Sequence, residues 1–394
     1  MKKPGISKDI SVMKPFMPPL DDFQFYLERI WESRQLTNGG PVHAEFEQAL
    51  CDHLGIKHIS LFANGTLALI IALKVLDLRG EVITTPFTSA ATAQAIYWNN
   101  LKPVFTDIDE KDLNIDVSGI ERAITPETSA ILPVHLFGNP CNVEKISRLA
   151  QKYKLKVVYD AAHCFGVEIG GQSICSFGDL SVLSFHATKV FNSFEGGAII
   201  CHDERAKTHI DSLKNTGLDA GRRLAGYGLN AKMNEIQSAF GLVQLKYIDK
   251  VIAFRKAATL KYRELLEDVR GLRMPGEMEF VKYNYTYFPV IINPAEFGSS
   301  RDELVAYLEK RNIFPRKYFY PLVSDFPEFS IYKTRDLPVA HKIAENIICL
   351  PLYHDITTDE ITFVVNYHRI HGCRRNIVFS DCRRTHTFHP WLGQ

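Results

Sequence analysis

The chain has 394 residues, too many for one ordinary core, so we expect a large domain with a smaller one folded onto it. Its 46 lysines and arginines nearly balance its 45 aspartates and glutamates, which excludes bulk charge attraction to nucleic acid or anionic membranes. The eight cysteines form no Cys-x-x-Cys pair, and no apolar stretch approaches the length of a membrane span. These features predict a soluble, cytoplasmic protein whose partners are small molecules or another subunit.

Short β-rich runs alternate with helical stretches from about residue 56 to residue 200. In chain order the strand-like runs are HISLFA, EVITTP, KPVFTDI, AILPVHLFG, KVVYDAA, SVLSFHA and GAIICH. The alternation predicts an α/β fold with a mostly parallel sheet flanked by helices. In such sheets ligands bind at the carboxyl ends of the strands, so the residues that follow each strand are the candidates for a site.

The second half of the chain predicts a smaller unit. Residues 233–268 show helical periodicity, and FVKYNYTYFPVIIN with RDELVAYLEKRN indicates a further α/β unit. We therefore expect a large domain over residues 1–250, with its first 20 or so residues packing on the small domain, and a small domain over residues 251–394. The tail from about residue 368 is rich in Arg, His and Cys, but its irregular spacing predicts no metal site.

Asp160 ends the apolar strand of KVVYDAAHCFG and is followed by His163. A carboxylate in an apolar setting needs a cationic or hydrogen-bonding partner, because leaving it unpaired costs several kcal/mol. A helix cap or a structural ion pair is the alternative interpretation.

Lys189 follows the next strand, in SVLSFHATKVFNSFEGGAII. It has no carboxylate four residues away on either side, so a simple surface ion pair does not explain it. A lysine desolvated in a pocket has a lowered pKa and serves as a Schiff-base nucleophile, whereas a solvated lysine is the alternative.

The third candidate is the helix start in LFANGTLALIIAL. The free N–H groups at Gly65 and Thr66, with a hydroxyl beside them, suit a phosphate, although an ordinary helix start has the same pattern. A phosphate cradle, a carboxylate and a lysine at strand ends of one sheet are together the contacts that pyridoxal 5′-phosphate requires. The three features together therefore predict a site for that cofactor.

The sequence resembles the DegT/DnrJ/EryC1/StrS family, which comprises pyridoxal-phosphate aminotransferases of fold type I that act on nucleotide sugars. The resemblance extends from LTNGGPVHAEFE (36–47) to ICLPLYHDITTDEI (348–361). The segments that carry it are NGTLAL (64–69), ITTPFTSAATAQAI (83–96), KPVFTDID (102–109), ILPVHLFGNPCNVEKI (131–146), YDAAHCFG (159–166), SFHATKVFNSFEGGAI (184–199) and GLNAKMNEIQSAFGLVQL (228–245). It implies an aspartate-aminotransferase-like fold.

The resemblance implies a role for each matching residue. Lys189 holds the cofactor and carries the proton between its two carbon positions, Asp160 holds the pyridinium nitrogen, and His163 lies near the ring oxygen. The phosphate contacts match Gly65, Thr66 and Ser184. Asn230 matches an asparagine that reaches the phosphate from the neighbouring subunit, which implies a homodimer with shared active sites.

Two positions depart from the family pattern. Ser89 stands where an aromatic residue usually stacks on the cofactor ring, so either Phe87 replaces it or the ring packs in another way. Lys232 stands where the family often has Arg, which keeps the charge but loses the two-pronged hydrogen bonding of a guanidinium.

The substrate expectation rests on the resemblance. It implies transfer of an amino group from L-glutamate to a nucleotide-linked keto-sugar, most similar to amination at C4 of dTDP-4-keto-6-deoxy-D-glucose, for deoxyamino-sugar and surface-polysaccharide (O-antigen) biosynthesis. The candidate sugar-nucleotide contacts are His186, Lys232, Arg316, Tyr318 and Tyr320, the last three of which also suit ordinary strand and turn packing.

Three alternatives stand beside this expectation. A 3-keto-sugar aminotransferase differs only in the carbon that faces the cofactor. A sugar dehydratase of the same fold places His where Lys189 stands, and a non-enzymatic family member would lack Lys189 or Asp160; the sequence has both.

Overall fold

A computed structural model of the protein describes residues 9–219, 221–333 and 335–372, with side chains to residue 366. The strands are β1 Ile10–Ser11, β2 His58–Phe62, β3 Glu81–Thr84, β4 Lys102–Phe105, β5 Thr128–Leu132, β6 Lys156–Asp160, β7 Glu168–Ile169, β8 Gln172–Ser173, β9 Leu180–Ser184, β10 Gly197–Cys201, β11 Leu272–Arg273, β12 Val281–Lys282, β13 Phe288–Ile292, β14 Ile313–Phe314 and β15 Ile347–Leu350. The helices are α1 Leu20–Ser33, α2 Pro41–Leu54, α3 Gly65–Val75, α4 Ala90–Trp98, α5 Val117–Ala123, α6 Val143–Tyr153, α7 Glu204–Lys214, α8 Glu235–Leu245, α9 Ile248–Leu266, α10 Pro294–Phe297, α11 Arg301–Glu309, α12 Pro327–Ser330, α13 Pro338–Asn346 and α14 Thr358–Gly372.

A seven-stranded sheet forms the centre of the larger part of the chain, in the order β2-β10-β9-β6-β5-β3-β4. Only β10 runs antiparallel to its neighbours in this sheet. One apolar layer against the sheet contains residues of α2, α6 and α8, and another contains residues of α3, α4 and α7. Because helices cover both faces, β3 and β10 are buried throughout, as is usual in mostly parallel sheets. The predicted fold class is confirmed.

The carboxyl ends of β6 and β9 lie side by side and position the candidate residues. The two strands are parallel, and Asp160 is aligned with Val182. The backbone N–H of Ala161 donates to the Val182 carbonyl at 2.8 Å, which extends the pairing one residue past β6. The loops that carry His163 and Lys189 therefore begin at the same edge of the sheet.

A second apolar core lies in the C-terminal part of the chain. The antiparallel sheet β11-β13-β15 packs with residues of α9, α11 and α14. Near the start of the chain, β1 pairs in parallel with β14, and Ile10 is buried in this core. A further apolar cluster joins the two parts, with Phe105 and Leu136 from the larger part and Tyr287 and Ile343 from the smaller one.

The tail predicted to be atypical lies largely outside the described residues, as do Cys373 and Cys382. Within the described part of the chain, no helix has both the length and the apolar character needed to cross a bilayer. The same residues contain no group of three or more His, Cys, Asp or Glu side chains placed to hold a metal ion.

Glu235 fixes the start of α2 to the start of α8. Its fully buried carboxylate accepts hydrogen bonds from the backbone N–H groups of Val42 at 2.9 Å and His43 at 3.1 Å. These N–H groups lie in the first turn of α2, where the helix itself offers no acceptor. The carboxylate also needs the space at Gly40, where an added Cβ would lie 2.6 Å from Glu235 Cδ.

We expect Glu235→Ala to lower the free energy of unfolding by about 3 kcal/mol, because two buried N–H groups lose a charged acceptor. Urea unfolding followed by circular dichroism measures the loss. Glu235→Gln keeps one acceptor oxygen and should lose less, whereas Glu345→Ala on an exposed face of α13 should change little. An unchanged urea midpoint for Glu235→Ala would contradict this account of the α2 start.

Candidate active site

Asp160 is a buried carboxylate with neutral hydrogen-bond donors. Its side chain is 3% exposed, Oδ2 accepts from Thr92 Oγ1 at 2.8 Å, and Oδ1 accepts from the backbone N–H of Ala162 at 3.1 Å. Among the described residues, no basic side chain forms an ion pair with it within 4.0 Å. Burial raises the pKa of Asp160, and the Thr92 and Ala162 hydrogen bonds oppose that rise. The carboxylate thus lacks the cationic partner that its burial calls for.

Lys189 lies in the turn after β9, where its backbone N–H donates to the His186 carbonyl at 2.8 Å. Burial lowers the pKa of Lys189 to about 8, and the negative charge of Asp160 opposes this. In turn, Lys189 contributes to lowering the pKa of Asp160. A lysine with this pKa has a substantial unprotonated fraction near neutral pH and is suited to act as a nucleophile and as a proton carrier.

The start of α3 forms a narrow cradle against β9 and β10. Asn64 caps the helix by accepting from the Leu67 N–H at 2.9 Å. The N–H groups of Gly65 and Thr66, which begin the helix, have no acceptors within it. A Cβ added at Gly65 would lie 2.9 Å from the Cβ of Ser184 and 3.1 Å from its Oγ. A Cβ added at Gly197 would lie 2.7 Å from the Gly65 nitrogen. The cradle therefore joins the Ser184 hydroxyl to a helix N-terminus, an arrangement suited to a phosphate.

His163 is held in one tautomer. Its Nδ1 accepts from the backbone N–H of Phe137 at 3.1 Å, so the proton of the neutral ring lies on Nε2. Burial lowers the pKa of His163 well below its usual value, which keeps the ring neutral. Phe137 presents this N–H from a left-handed backbone conformation with φ 55°. His163 is therefore a hydrogen-bond donor through Nε2, the role that a Gln would also fill at this position.

His186 belongs to a partly exposed cluster beside Lys189. Its Nδ1 lies 2.7 Å from Thr188 Oγ1 and accepts from the Thr188 N–H at 3.2 Å, while its Nε2 lies 3.5 Å from a carboxylate oxygen of Glu195. The structure thus places this predicted substrate contact next to the lysine.

The 316–320 segment reaches the site through Phe319. The ring centroid of Phe319 lies 6.2 Å from that of His163. Arg316 is exposed and donates from Nη1 to the Tyr318 hydroxyl at 3.0 Å, which leaves its other N–H groups available. The guanidinium group of Arg301 lies over the ring of Tyr320, with 4.3 Å between its central carbon and the ring centroid. Tyr318 also packs against the ring of Tyr287, with 5.5 Å between centroids, whereas Tyr320 is 49% exposed. The roles of Arg316, Tyr318 and Tyr320 as ligand contacts stay predictions.

Asn230 and Lys232 form a pair at the end of β2. The Lys232 ammonium donates to Asn230 Oδ1 at 2.7 Å, and Lys232 pairs with Phe62 through an isolated bridge. Asn230 is exposed, as are Leu224 and Tyr227 earlier in the same segment. The bridge to Phe62, which ends β2 three residues before α3 begins, places the Lys232 backbone near the start of α3. The Asn230 side chain lies at the surface.

Phe87 and Ser89 differ in their surroundings. Phe87 is fully buried, with the rings of Phe137 and Phe319 approaching it edge-on at 6.4 and 6.1 Å. The stacking of Phe87 on a cofactor ring stays a prediction. Ser89 is exposed at the N-cap of α4 and makes no side-chain capping hydrogen bond.

Two contributors to the site were missed from the sequence, namely Thr92 and the backbone of Phe137. Thr92 sits in the first turn of α4, and Thr88 precedes it by four residues, just before the helix begins. This spacing is the sequence signal for the pair of hydroxyls. No sequence signal identifies the Phe137 N–H as the partner of His163.

Comparison with known proteins assigns the chain to a family. Residues 21–369 match the DegT/DnrJ/EryC1/StrS aminotransferase family. The chain belongs to this family. Aminotransferases of the family are dependent on pyridoxal phosphate, so the predicted family and enzyme class are confirmed.

Its similarity to individual family members extends over almost their whole lengths. It is 48% identical to a dTDP-4-amino-4,6-dideoxy-D-glucose transaminase of Shigella dysenteriae, over 92% of this chain and 98% of that protein. A transaminase of the same name from Escherichia coli is 47% identical, over 89% of this chain and 96% of the relative. Among solved structures, DesI in the presence of its TDP-sugar product matches with a TM-score of 0.90 and 34% identity, over 94% of each chain.

The residues present fit the family cofactor. The carboxylate of Asp160 is buried without a cation, which a protonated pyridine nitrogen would supply. The cradle between Gly65 and Ser184 has the amide donors that a phosphate requires.

Proposed function

We propose that the chain binds pyridoxal 5′-phosphate and transfers an amino group from L-glutamate to a nucleotide-linked keto-sugar. The observation that carries the proposal is the buried Asp160 carboxylate, which has no cationic partner within 4.0 Å in the described part of the chain and acts electrostatically on Lys189. A lysine beside a buried carboxylate could form a structural pair, but among the described residues no ion pair within 4.0 Å joins Lys189 to Asp160. A phosphate cradle lies at the same edge of the sheet.

Bound pyridoxal 5′-phosphate supplies an aldehyde that condenses with amines and a ring that withdraws electrons. Lys189 Nζ would hold the aldehyde carbon and then carry protons to and from substrate carbon, for which a pKa of about 8 is suitable. Asp160 would keep a proton on the ring nitrogen. The Nε2–H of His163 would donate to the ring oxygen, because its Nδ1 is occupied by Phe137.

The phosphate would lie at the start of α3. The N–H groups of Gly65 and Thr66 and the hydroxyl of Ser184 provide neutral donors, and the positive end of the α3 dipole favours an anion there. We further propose that Asn230 of one subunit reaches the phosphate of the other, which makes the active unit a homodimer; the exposure of Asn230, Leu224 and Tyr227 supports this.

The proposed acceptor is dTDP-4-keto-6-deoxy-D-glucose, aminated at C4, in the biosynthesis of a surface polysaccharide. The similarity to two transaminases named for the corresponding product supports this choice. The charges of Lys232 and Arg316 suit a diphosphate, because Arg316 retains free guanidinium donors. Tyr318 beside Arg316 and His186 beside Lys189 are the candidate sugar contacts.

The proposal is tested by incubating the cofactor-loaded protein with L-glutamate and a panel of dTDP- and UDP-linked keto-sugars. We expect an amino group at C4 of the dTDP-4-keto sugar, identified by mass and NMR, and 2-oxoglutarate in equal amount. The Lys189→Ala protein, tested in parallel, controls for non-enzymatic amination. Amination at C3, or of UDP sugars alone, would contradict the substrate, and no transfer to any sugar would contradict the function.

A further inference from the structure

Three side chains form a buried hydrogen-bonded chain that begins at the start of α4. Thr88 Oγ1 lies 2.9 Å from Thr92 Oγ1, and Thr92 Oγ1 lies 2.8 Å from Asp160 Oδ2. Exposure is 3% for Thr88, 0% for Thr92 and 3% for Asp160, so water does not replace these bonds. Neither threonine belongs to the cofactor contacts described above.

The number of protons on the two hydroxyls fixes which group donates in each of these hydrogen bonds. A hydroxyl has one proton to donate, and an ionised carboxylate only accepts. When Asp160 is ionised, Thr92 must donate to it, and Thr88 must then donate to Thr92. Thr88 thus orients the Thr92 hydroxyl, and Thr92 orients the carboxylate.

The location of Thr92 adds a second favourable effect. It is the third residue of α4, so the positive end of the helix dipole lies beside the Asp160 oxygen that Thr92 contacts. Burial works against the charged form of Asp160, and the Thr92 hydrogen bond is the strongest of the contacts that oppose this. A carboxylate without an ion pair depends on such neutral donors to remain ionised.

We propose that Thr92, oriented by Thr88, is a positioning residue that keeps Asp160 ionised and aimed at the cofactor ring. This inference rests on the proposed cofactor function, because it assigns Thr92 a role toward the ring nitrogen. It predicts that loss of the Thr92 hydroxyl weakens cofactor binding even though Thr92 does not touch the cofactor.

The test measures pyridoxal-phosphate affinity of the full-length apo-protein by absorbance titration at several pH values. We expect Thr92→Val to weaken binding roughly 10- to 100-fold, the loss typical of a hydrogen bond to a charged group. Thr92→Ser keeps the hydroxyl and should restore most of the affinity, and Thr88→Val should give a smaller loss. Thr84→Val is the matched control, because its fully buried hydroxyl donates to the Leu132 carbonyl and not to Asp160.

The pH dependence separates positioning from a general structural defect. Without the Thr92 bond the pKa of Asp160 should rise further, so the pH below which cofactor affinity falls should move upward in Thr92→Val. A structural defect would lower affinity by the same factor at every pH. Wild-type affinity in Thr92→Val, or a loss independent of pH, would overturn the inference. A wild-type protein that does not bind the cofactor would instead overturn the proposed function.

Discussion

Replacing Lys189 with alanine is expected to abolish covalent attachment of pyridoxal phosphate and to reduce transamination by at least roughly 10²–10⁴-fold. The reason is that one amine would serve both as the attachment point and as the proton carrier, and loss of a positioned general acid–base alone costs that much. Borohydride reduction of the loaded protein followed by mass spectrometry of its peptides locates the attachment. Lys256→Ala, at an exposed position of α9, is the control and should retain both properties.

The wild-type protein should also show a pH dependence set by Lys189. Burial lowers the pKa of this lysine to about 8, so the unprotonated amine becomes dominant as pH rises through that value. Short pulses of cofactor and borohydride should therefore label Lys189 more rapidly above about pH 8 than below it. Labelling of a different lysine in the wild-type protein would contradict the assignment.

The sheet and its strand-end residues were predictable because their signals are local. The apolar run before Asp160 and the strand-to-helix change at Gly65 each lie within about ten residues of sequence. Parallel topology then places such residues at one edge of the sheet, which is the reason that Asp160 and Ser184 end adjacent strands.

Contacts between distant segments could not be predicted in the same way. The partner of His163 is a backbone N–H of Phe137, made available by an unusual φ that no residue type specifies. The burial of Phe87 depends on Phe319, more than two hundred residues later in the chain. The burial of Phe87 follows from how the smaller part of the chain packs against the larger one.

Asp160→Asn is expected to lower turnover without lowering the stability of the apo-protein. Burial raises the folded-state pKa of Asp160, so the folded protein holds this proton more tightly than the unfolded chain. The stabilisation from this group is complete below the unfolded pKa and is lost as pH rises through the folded pKa. At neutral pH the ionised carboxylate therefore carries a desolvation cost, which an uncharged asparagine of the same shape avoids.

We therefore expect the Asp160→Asn apo-protein to be at least as resistant to urea at neutral pH as the wild type. The asparagine amide can donate to Thr92 and its oxygen can accept from Ala162, so the local hydrogen bonds can be re-formed. Turnover should nevertheless fall roughly 10²–10³-fold, as when one preorganised electrostatic contact is lost, because no negative charge remains to hold a proton on the ring nitrogen. The prediction is tested by urea unfolding of the wild-type and Asp160→Asn apo-proteins and by kcat of the same two proteins loaded with cofactor. Normal turnover in a folded Asp160→Asn protein would remove this carboxylate from the mechanism, whereas a large loss of apo-protein stability would show that its charge serves the fold.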